Sequence, residues 1–85
     1  MTSLRVLIVD DQLVVREGLR AILGRQPDMT VVAEASDGDQ AVSLYDRHRP
    51  DLTLMDLRLS KKSGLDAMGE IRQRHPQARI VVLTT

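Results

Sequence analysis

The sequence predicts a single α/β domain built on a parallel β-sheet. Four short runs rich in Val, Ile and Leu recur, at residues 4–9, 30–35, 52–55 and 79–84. Continuous apolar runs of this length suit strands that are buried on both faces of a sheet. Three segments with helical spacing separate them, so the order is β-α-β-α-β-α-β. Alternating elements with short connections indicate parallel strands joined by right-handed crossovers.

Each intervening segment places its apolar residues on one face of a helix, as a helix on a sheet requires. These residues are Val15, Leu19, Ile22 and Leu23 in the first helix, Ala41, Leu44 and Tyr45 in the second, and Leu65, Met68 and Ile71 in the third. Ser36-Asp37-Gly38 and Ser63 offer side chains that cap the second and third helices.

The predicted helix ends are basic and each is followed by proline, within residues 24–28, 46–51 and 72–77. Cations near a last turn suit the helix macrodipole, and proline ends the helix before the next strand. We therefore interpret His48 and His75 as helix-end charges and not as metal ligands.

Composition limits the classes of function. With 42% hydrophobic and 28% charged residues, the 85-residue chain has the make-up of one folded globular domain. Twelve basic residues balance twelve acidic ones, which argues against binding to nucleic acid or membranes through net positive charge. The absence of cysteine excludes thiolate catalysis and Cys-based zinc sites. No apolar run approaches the roughly 20 residues that span a bilayer, and no signal peptide is evident, so we expect a cytoplasmic protein.

Polar residues end three of the four predicted strands. Asp10 and Asp11 close the first strand, Asp56 the third and Thr84 the fourth. Ligands of open α/β sheets bind at the carboxyl ends of the strands, where the strand order switches direction. Close carboxylates repel by about 4 kcal/mol per pair at an effective dielectric near 20, and a hard divalent cation relieves that repulsion. Oxygen ligands favour Mg²⁺, so the pattern indicates phosphoryl-transfer chemistry with a carboxylate as nucleophile.

Simpler interpretations exist for each residue. Asp11 could cap the first helix, Asp56 could be a turn residue, and Thr84 could be an ordinary β-former. The pair Lys61-Lys62 fits a solvated loop, and a contact of either lysine with phosphate is the alternative. Asp37-Gly38 fits turn and cap chemistry without a ligand.

Several longer stretches resemble one known family. VLIVDDQLVVREGL, ASDGDQAV, DLTLMDLRLSKKSGLDAM and ARIVVLTT are similar to the receiver domain of bacterial two-component response regulators. REGL and LTT resemble the LuxR/NarL-type subfamily, whose receivers are joined to a helix-turn-helix output domain. The resemblance implies a flavodoxin-like parallel sheet with strand order 2-1-3-4. It also implies that residues 1–85 are an incomplete, N-terminal portion of a receiver domain that stops before the fifth strand.

The resemblance also implies roles for individual residues. Asp56 would be the phosphoacceptor, phosphorylated from the phosphohistidine of a sensor histidine kinase. Asp11 would bind Mg²⁺ directly, Asp10 largely through water, and Arg58 through its backbone carbonyl. The hydroxyl of Thr84 would donate to the aspartyl phosphate and would report phosphorylation to the opposite surface.

The chain departs from the family pattern in the acceptor loop. Leu59-Ser60 stands where the family usually has Met-Pro, and Lys61-Lys62 follows where small or apolar residues are usual. Loss of the proline should loosen this loop. We expect the fifth strand, the last two helices, a phosphate-binding lysine and any DNA-binding domain to lie beyond Thr85. The 85 residues alone should then bind Mg²⁺ weakly, transfer phosphate poorly, and self-associate through the free edge of the fourth strand.

Two other hypotheses compete with the receiver interpretation. A Mg²⁺-dependent phosphatase of the haloacid dehalogenase type also uses a nucleophilic Asp at a strand end, but expects Asp-x-Asp where this chain has adjacent Asp10-Asp11. An isolated folding or assembly fragment without signalling activity is the other. The leading interpretation is a self-phosphorylating switch rather than a turnover enzyme.

Overall fold

The computed structural model describes residues 3–59 and 61–83, which form four strands and three helices. They are β1 (Leu4–Val9), α1 (Leu13–Gly24), β2 (Met29–Ala35), α2 (Gly38–His48), β3 (Leu52–Asp56), α3 (Gly64–Arg74) and β4 (Ile80–Leu83). The predicted order of elements is confirmed. Thr84, which the prediction included in the fourth strand, lies outside the described residues. None of these helices is long and apolar enough to cross a membrane.

All strand pairs are parallel, and the sheet order is β2-β1-β3-β4. This is the flavodoxin-like order that the resemblance implied. Val9, the last residue of β1, pairs with Ala35 on one side and Met55 on the other. The carboxyl ends of the three strands are therefore level, and Asp10 and Asp56 leave the sheet at the same edge.

The helices lie on both faces of the sheet. The β1–β2 crossover runs in one direction across the sheet, whereas the β2–β3 and β3–β4 crossovers run in the other. Right-handed crossovers consequently place α1 on one face and both α2 and α3 on the opposite face. The contacts agree, because α2 packs on α3 while α1 packs on β2 and β1.

The core lies between the sheet and the α2–α3 layer. Its buried members are Leu7, Val9, Ala35, Ala41, Val42, Tyr45, Met55, Ala67 and Ile71. By contrast, α1 buries none of its residues completely. The prediction that Ile22 of α1 and Leu65 of α3 belong to packed faces is wrong, because 59% and 61% of these residues are exposed. Helix α1 covers only the β1–β2 half of its face of the sheet, so part of its apolar surface has no sheet beneath it.

The predicted caps of α2 and α3 are confirmed. The Asp37 carboxylate accepts the Gln40 N–H at 2.8 Å, and the Ser63 hydroxyl accepts the Asp66 N–H at 3.1 Å. Basic residues also occupy the last turns of these two helices. For α1 the prediction needs correction, because its last turn has no basic residue and Arg25 follows it as the C-cap.

Candidate functional site

Three of the predicted site residues come together at the carboxyl edge of the sheet. Asp10, Asp11 and Asp56 each offer a carboxylate oxygen within 4.8 Å of the others. Asp10 and Asp56 are buried, with 2% and 7% of their surface exposed, whereas Asp11 is exposed. The three acids line a pocket of about 320 Å³, to which Arg58 also contributes. Thr84 lies outside the described residues, so its place beside this pocket stays a prediction.

Backbone N–H groups hold the two buried carboxylates in place. The N–H of Gln12 donates to Asp10 Oδ1 at 2.9 Å, and the N–H of Arg58 donates to Asp56 Oδ1 at 2.9 Å. Each bond reaches two residues back along the chain, just where a strand turns out of the sheet. Each uses one carboxylate oxygen, which leaves the second oxygen of Asp10 and of Asp56 available to a ligand.

The simpler interpretations of these acids explain only part of this geometry. The N-cap of α1 is Gln12 and not Asp11, so capping does not account for Asp11. The bond from the Arg58 N–H does give Asp56 a turn-like role. A turn residue, however, has no need to bury its carboxylate beside that of Asp10, because burial of a charge is costly unless it is compensated.

Burial and neighbouring charge disfavour ionisation of Asp10. Loss of solvent is the main reason that the pKa of its carboxyl is raised, and the charges of Asp56 and Asp11 raise it further. The Gln12 N–H and the Arg16 guanidinium oppose this rise. Two full charges within 4.8 Å of each other repel by at least about 3.5 kcal/mol at an effective dielectric of 20. A divalent cation would remove this cost, and carboxylate oxygens are the ligands that Mg²⁺ prefers.

The loop that follows Asp56 is tied to both α2 and α3. The Lys62 ammonium pairs with Glu70 of α3 and lies 3.7 Å from the Asp39 carboxylate of α2. The solvated-loop interpretation holds for Lys61, whose side chain is 76% exposed, but is wrong for Lys62, which is only 23% exposed. Although the usual proline is absent, the described part of the loop is therefore anchored by charge pairs.

A second polar cluster lies at the opposite edge of the sheet, where α2 and α3 end. Asp46 accepts from Arg74 and contacts His75 Nε2 at 2.7 Å, while the rings of His75 and Tyr45 are 4.9 Å apart. The hydrogen bond with His75, followed by that with Arg74, lowers the pKa of Asp46. His75 is the C-cap of α3, and its contact with Asp46 also links α3 to α2. Sequence reasoning missed this cluster because its members come from different helices.

Comparison with known proteins identifies relatives that share this fold. The family described as the response regulator receiver domain matches residues 6–85. The uncharacterized transcriptional regulatory protein YxjL of Bacillus subtilis is 43% identical over 98% of this chain, and the nitrate/nitrite response regulator protein NarL of Escherichia coli is 37% identical over 93%. A two-component response regulator of the LuxR family from Aurantimonas superposes with a TM-score of 0.90, at 42% identity over 95% of this chain.

The chain spans 38% and 37% of the lengths of the two curated relatives and 58% of the solved chain. The match itself covers nearly every residue described above, including all three acids. The chain accordingly belongs to the response regulator receiver domain family, among relatives of the LuxR and NarL type.

Proposed function

We propose that this chain is a phosphoacceptor receiver module that is phosphorylated on Asp56 in the presence of Mg²⁺. The observation that supports this proposal is the meeting of Asp10, Asp11 and Asp56 within 4.8 Å at the carboxyl edge of a parallel sheet. Two of these carboxylates are buried and each retains an oxygen that is free of the local backbone bonds. Such a donor set fits a hard divalent cation and a phosphoryl group.

Each residue has a distinct part in this proposal. The residues that would hold Mg²⁺ are Asp11, Asp56, Arg58 through its main-chain carbonyl, and Asp10 through water. When bound, the ion would neutralise charge on the transferring phosphoryl group. An oxygen of Asp56 attacks the phosphorus of a phosphohistidine. A P–O bond forms as the P–N bond breaks, and the imidazole leaves with the electron pair and takes up a proton. The Arg58 N–H donates to Oδ1 of Asp56, which restricts rotation of the carboxylate that attacks. The hydroxyl of Thr84 is expected to donate to the product.

The proposed partner is the sensor histidine kinase of a cytoplasmic two-component system. In a protein of the relatives' length, phosphorylation would bias a two-state equilibrium of the receiver and thereby control a DNA-binding output segment. Residues 1–85 would be the N-terminal portion of that receiver. The module acts as a switch and not as a turnover enzyme, because its product is its own aspartyl phosphate.

Labelling with a small-molecule phosphodonor tests the proposal. The intact protein that carries these residues is incubated with acetyl phosphate and Mg²⁺, and intact-mass spectrometry measures the phosphorylated fraction. We expect one phosphoryl group on the wild type, none on Asp56→Asn, and a wild-type level on Asp28→Asn, which removes an exposed acid of the α1–β2 connection. Wild-type labelling of Asp56→Asn, or labelling that survives chelation of Mg²⁺, would overturn the assignment.

We also propose that the 85-residue chain self-associates. Within the described ranges β4 has a strand neighbour on one side only, and Val81, on the sheet face opposite α2 and α3, is 47% exposed. A free edge and an exposed apolar strand favour pairing between copies. Light scattering should give a mass that rises with concentration, and a monomer at all concentrations would count against this.

The alternatives are not favoured. The matches are to a receiver family, and neither an inert fragment nor a phosphatase of the haloacid dehalogenase type needs the three acids in this arrangement. Steady hydrolysis of a phosphate ester over many turnovers would instead favour the phosphatase hypothesis.

A further inference from the structure

We infer that Arg16, held by Glu34, is a positioning residue for cation binding. It fixes the acidic edge of the sheet, by which we mean Asp10, Asp11 and Asp56. This inference rests on the proposed function. The guanidinium Nη1 of Arg16 donates to the main-chain carbonyl of Asp10 at 2.7 Å, and Nε donates to Glu34 Oε1 at 3.3 Å. Only 15% of the Arg16 side chain is exposed. A shielded charge with two fixed acceptors has little freedom to move.

The α1 helix has few other means of fixing its start. It buries no residue, and its N-cap residue Gln12 makes no side-chain cap bond with any described residue. The helix begins at Leu13, two positions after Asp11, so a shift of α1 carries Asp11 with it. Arg16, in the first turn, reaches back from the helix to the end of β1. This contact connects the helix directly to the strand that bears the acids.

Glu34 sets the direction of the Arg16 side chain. It lies on β2, paired in register with Ile8 of β1, on the face that α1 covers. One of its carboxylate oxygens takes Arg16 and the other takes Nε of Arg20 at 3.2 Å. The Arg20 side chain is 66% exposed, and its contact is with Glu34 alone among the ion pairs of the described chain. Arg20 therefore shares the anchor of Arg16 without sharing its contact with Asp10.

The carbonyl contact matters most for Asp11. Arg16 binds the peptide that joins Asp10 to Asp11, so it orients both residues without using a carboxylate oxygen that a cation needs. Asp11 is exposed, and no hydrogen bond from residues 3–59 or 61–83 holds its carboxylate. The position of this ligand thus depends on its backbone. Loss of an outer-shell partner of this kind commonly costs about 10- to 100-fold in metal affinity.

The test compares Arg16→Gln with Arg20→Gln in the intact protein. Free Mn²⁺, measured by its electron paramagnetic resonance signal, gives the affinity for the metal alone, and competition with Mg²⁺ gives that for the native ion. We expect Arg16→Gln to weaken Mn²⁺ binding about tenfold or more, and Arg20→Gln to change it less than about twofold. Thermal melts should show a larger loss for Arg16→Gln than for Arg20→Gln, because only Arg16 also loses the bond to the Asp10 carbonyl and its ion pair with Glu34 is better shielded from water.

Two further variants separate orientation from folding. Arg16→Lys keeps the charge but replaces the two nitrogens of the guanidinium fork with a single ammonium nitrogen, which fits the Asp10 carbonyl and Glu34 less well, so we expect an affinity between those of the wild type and Arg16→Gln. Glu34→Gln removes the charge of both ion pairs but leaves the Arg16 donor at the Asp10 carbonyl, so it should lower thermal stability more than Mn²⁺ affinity.

The outcomes distinguish this inference from the proposed function. Wild-type affinity in Arg16→Gln, or equal losses of Mn²⁺ affinity in the Arg16→Gln and Arg20→Gln variants, overturns the positioning role alone, provided that Asp11→Asn still abolishes binding. A wild-type protein that fails to bind Mn²⁺ and Mg²⁺ overturns the proposed function and this inference together.

Discussion

Replacing Gly64 with alanine should destabilise the protein, because the added Cβ would clash with the main chain of Asp56, the proposed phosphoacceptor. A Cβ at this position would lie 2.3 Å from the carbonyl oxygen of Asp56, which is 1.1 Å short of the 3.4 Å where ordinary contact begins, and 2.6 Å from Leu57 Cα. Both neighbours are main-chain atoms, so no side-chain rotation relieves the clash. Overpacking commonly costs about 1–3 kcal/mol, and a main-chain clash this close belongs at the upper end of that range. Alanine returns less than the ~1 kcal/mol of helix propensity that it would give in a helix interior, because Gly64 is the first residue of α3. We therefore expect a net loss of at least about 2 kcal/mol.

The matched control is Gly18→Ala in α1, where a Cβ meets no described atom within 4 Å beyond the adjacent residues and the backbone of its own helix. This change should raise the free energy of unfolding by about 1 kcal/mol, because alanine is the better helix former. Urea titration followed by far-UV circular dichroism measures both variants. In a domain of this size 1 kcal/mol corresponds to a shift in Tm of about 4–8 °C, so the two variants should move in opposite directions by readily measured amounts. A Gly64→Ala protein as stable as the wild type would refute the steric reasoning.

The Gly64 substitution should also affect phosphorylation. Relief of the clash requires movement of the Asp56 main chain or of the start of α3, and either movement disturbs the position of the Asp56 carboxylate. Acetyl phosphate labelling should fall in Gly64→Ala and stay unchanged in Gly18→Ala.

Three further predictions concern individual polar groups. The Thr53 hydroxyl is buried without a partner in the described chain, so Thr53→Val should raise the free energy of unfolding by about 1 kcal/mol; a lower urea midpoint would contradict this. The pKa of Asp10 is raised, so stability is lost as the pH rises from the ordinary 3.8 through the folded value; without Mg²⁺ at neutral pH, Asp10→Asn should melt higher than the wild type, with no such gain at a pH below 3.8. Asp46 has a lowered pKa, so its stabilisation is present above 3.8 and lost as pH falls through the folded value; Asp46→Asn should show a weaker acid dependence of Tm, and equal slopes would count against the His75 bond.

The fold could be predicted because its signals are local. Strand β1 matches its apolar run at both ends, and Asp37 and Ser63 cap the helices that they precede. The meeting of Asp10 with Asp56 also follows from sequence, since parallel neighbouring strands bring their carboxyl ends to one edge. Secondary structure and topology together were sufficient to place the acids.

Contacts between side chains of separate elements could not be predicted in the same way. The pairing of Lys62 with Glu70 depends on where the acceptor loop folds back over α3. The bond from Arg16 to the Asp10 carbonyl depends on the distance between α1 and β1. No periodicity encodes these distances. Ile22 was misplaced for a related reason, because a helical pattern gives the apolar face of a helix but not the width of sheet beneath it.

The weak attachment of α1 to the sheet should affect local unfolding of the protein. Because this helix is joined to the sheet mainly by partly buried residues and by guanidinium–carboxylate contacts, it can detach in a local unfolding event that leaves the α2–α3 layer intact. Amide protons of α1 should then exchange with deuterium earlier than those of β1 and β3, and faster still at high ionic strength, where such pairs are screened. Although α1 is peripheral, its detachment would therefore determine how long the acidic edge of the sheet keeps the arrangement that binds a cation.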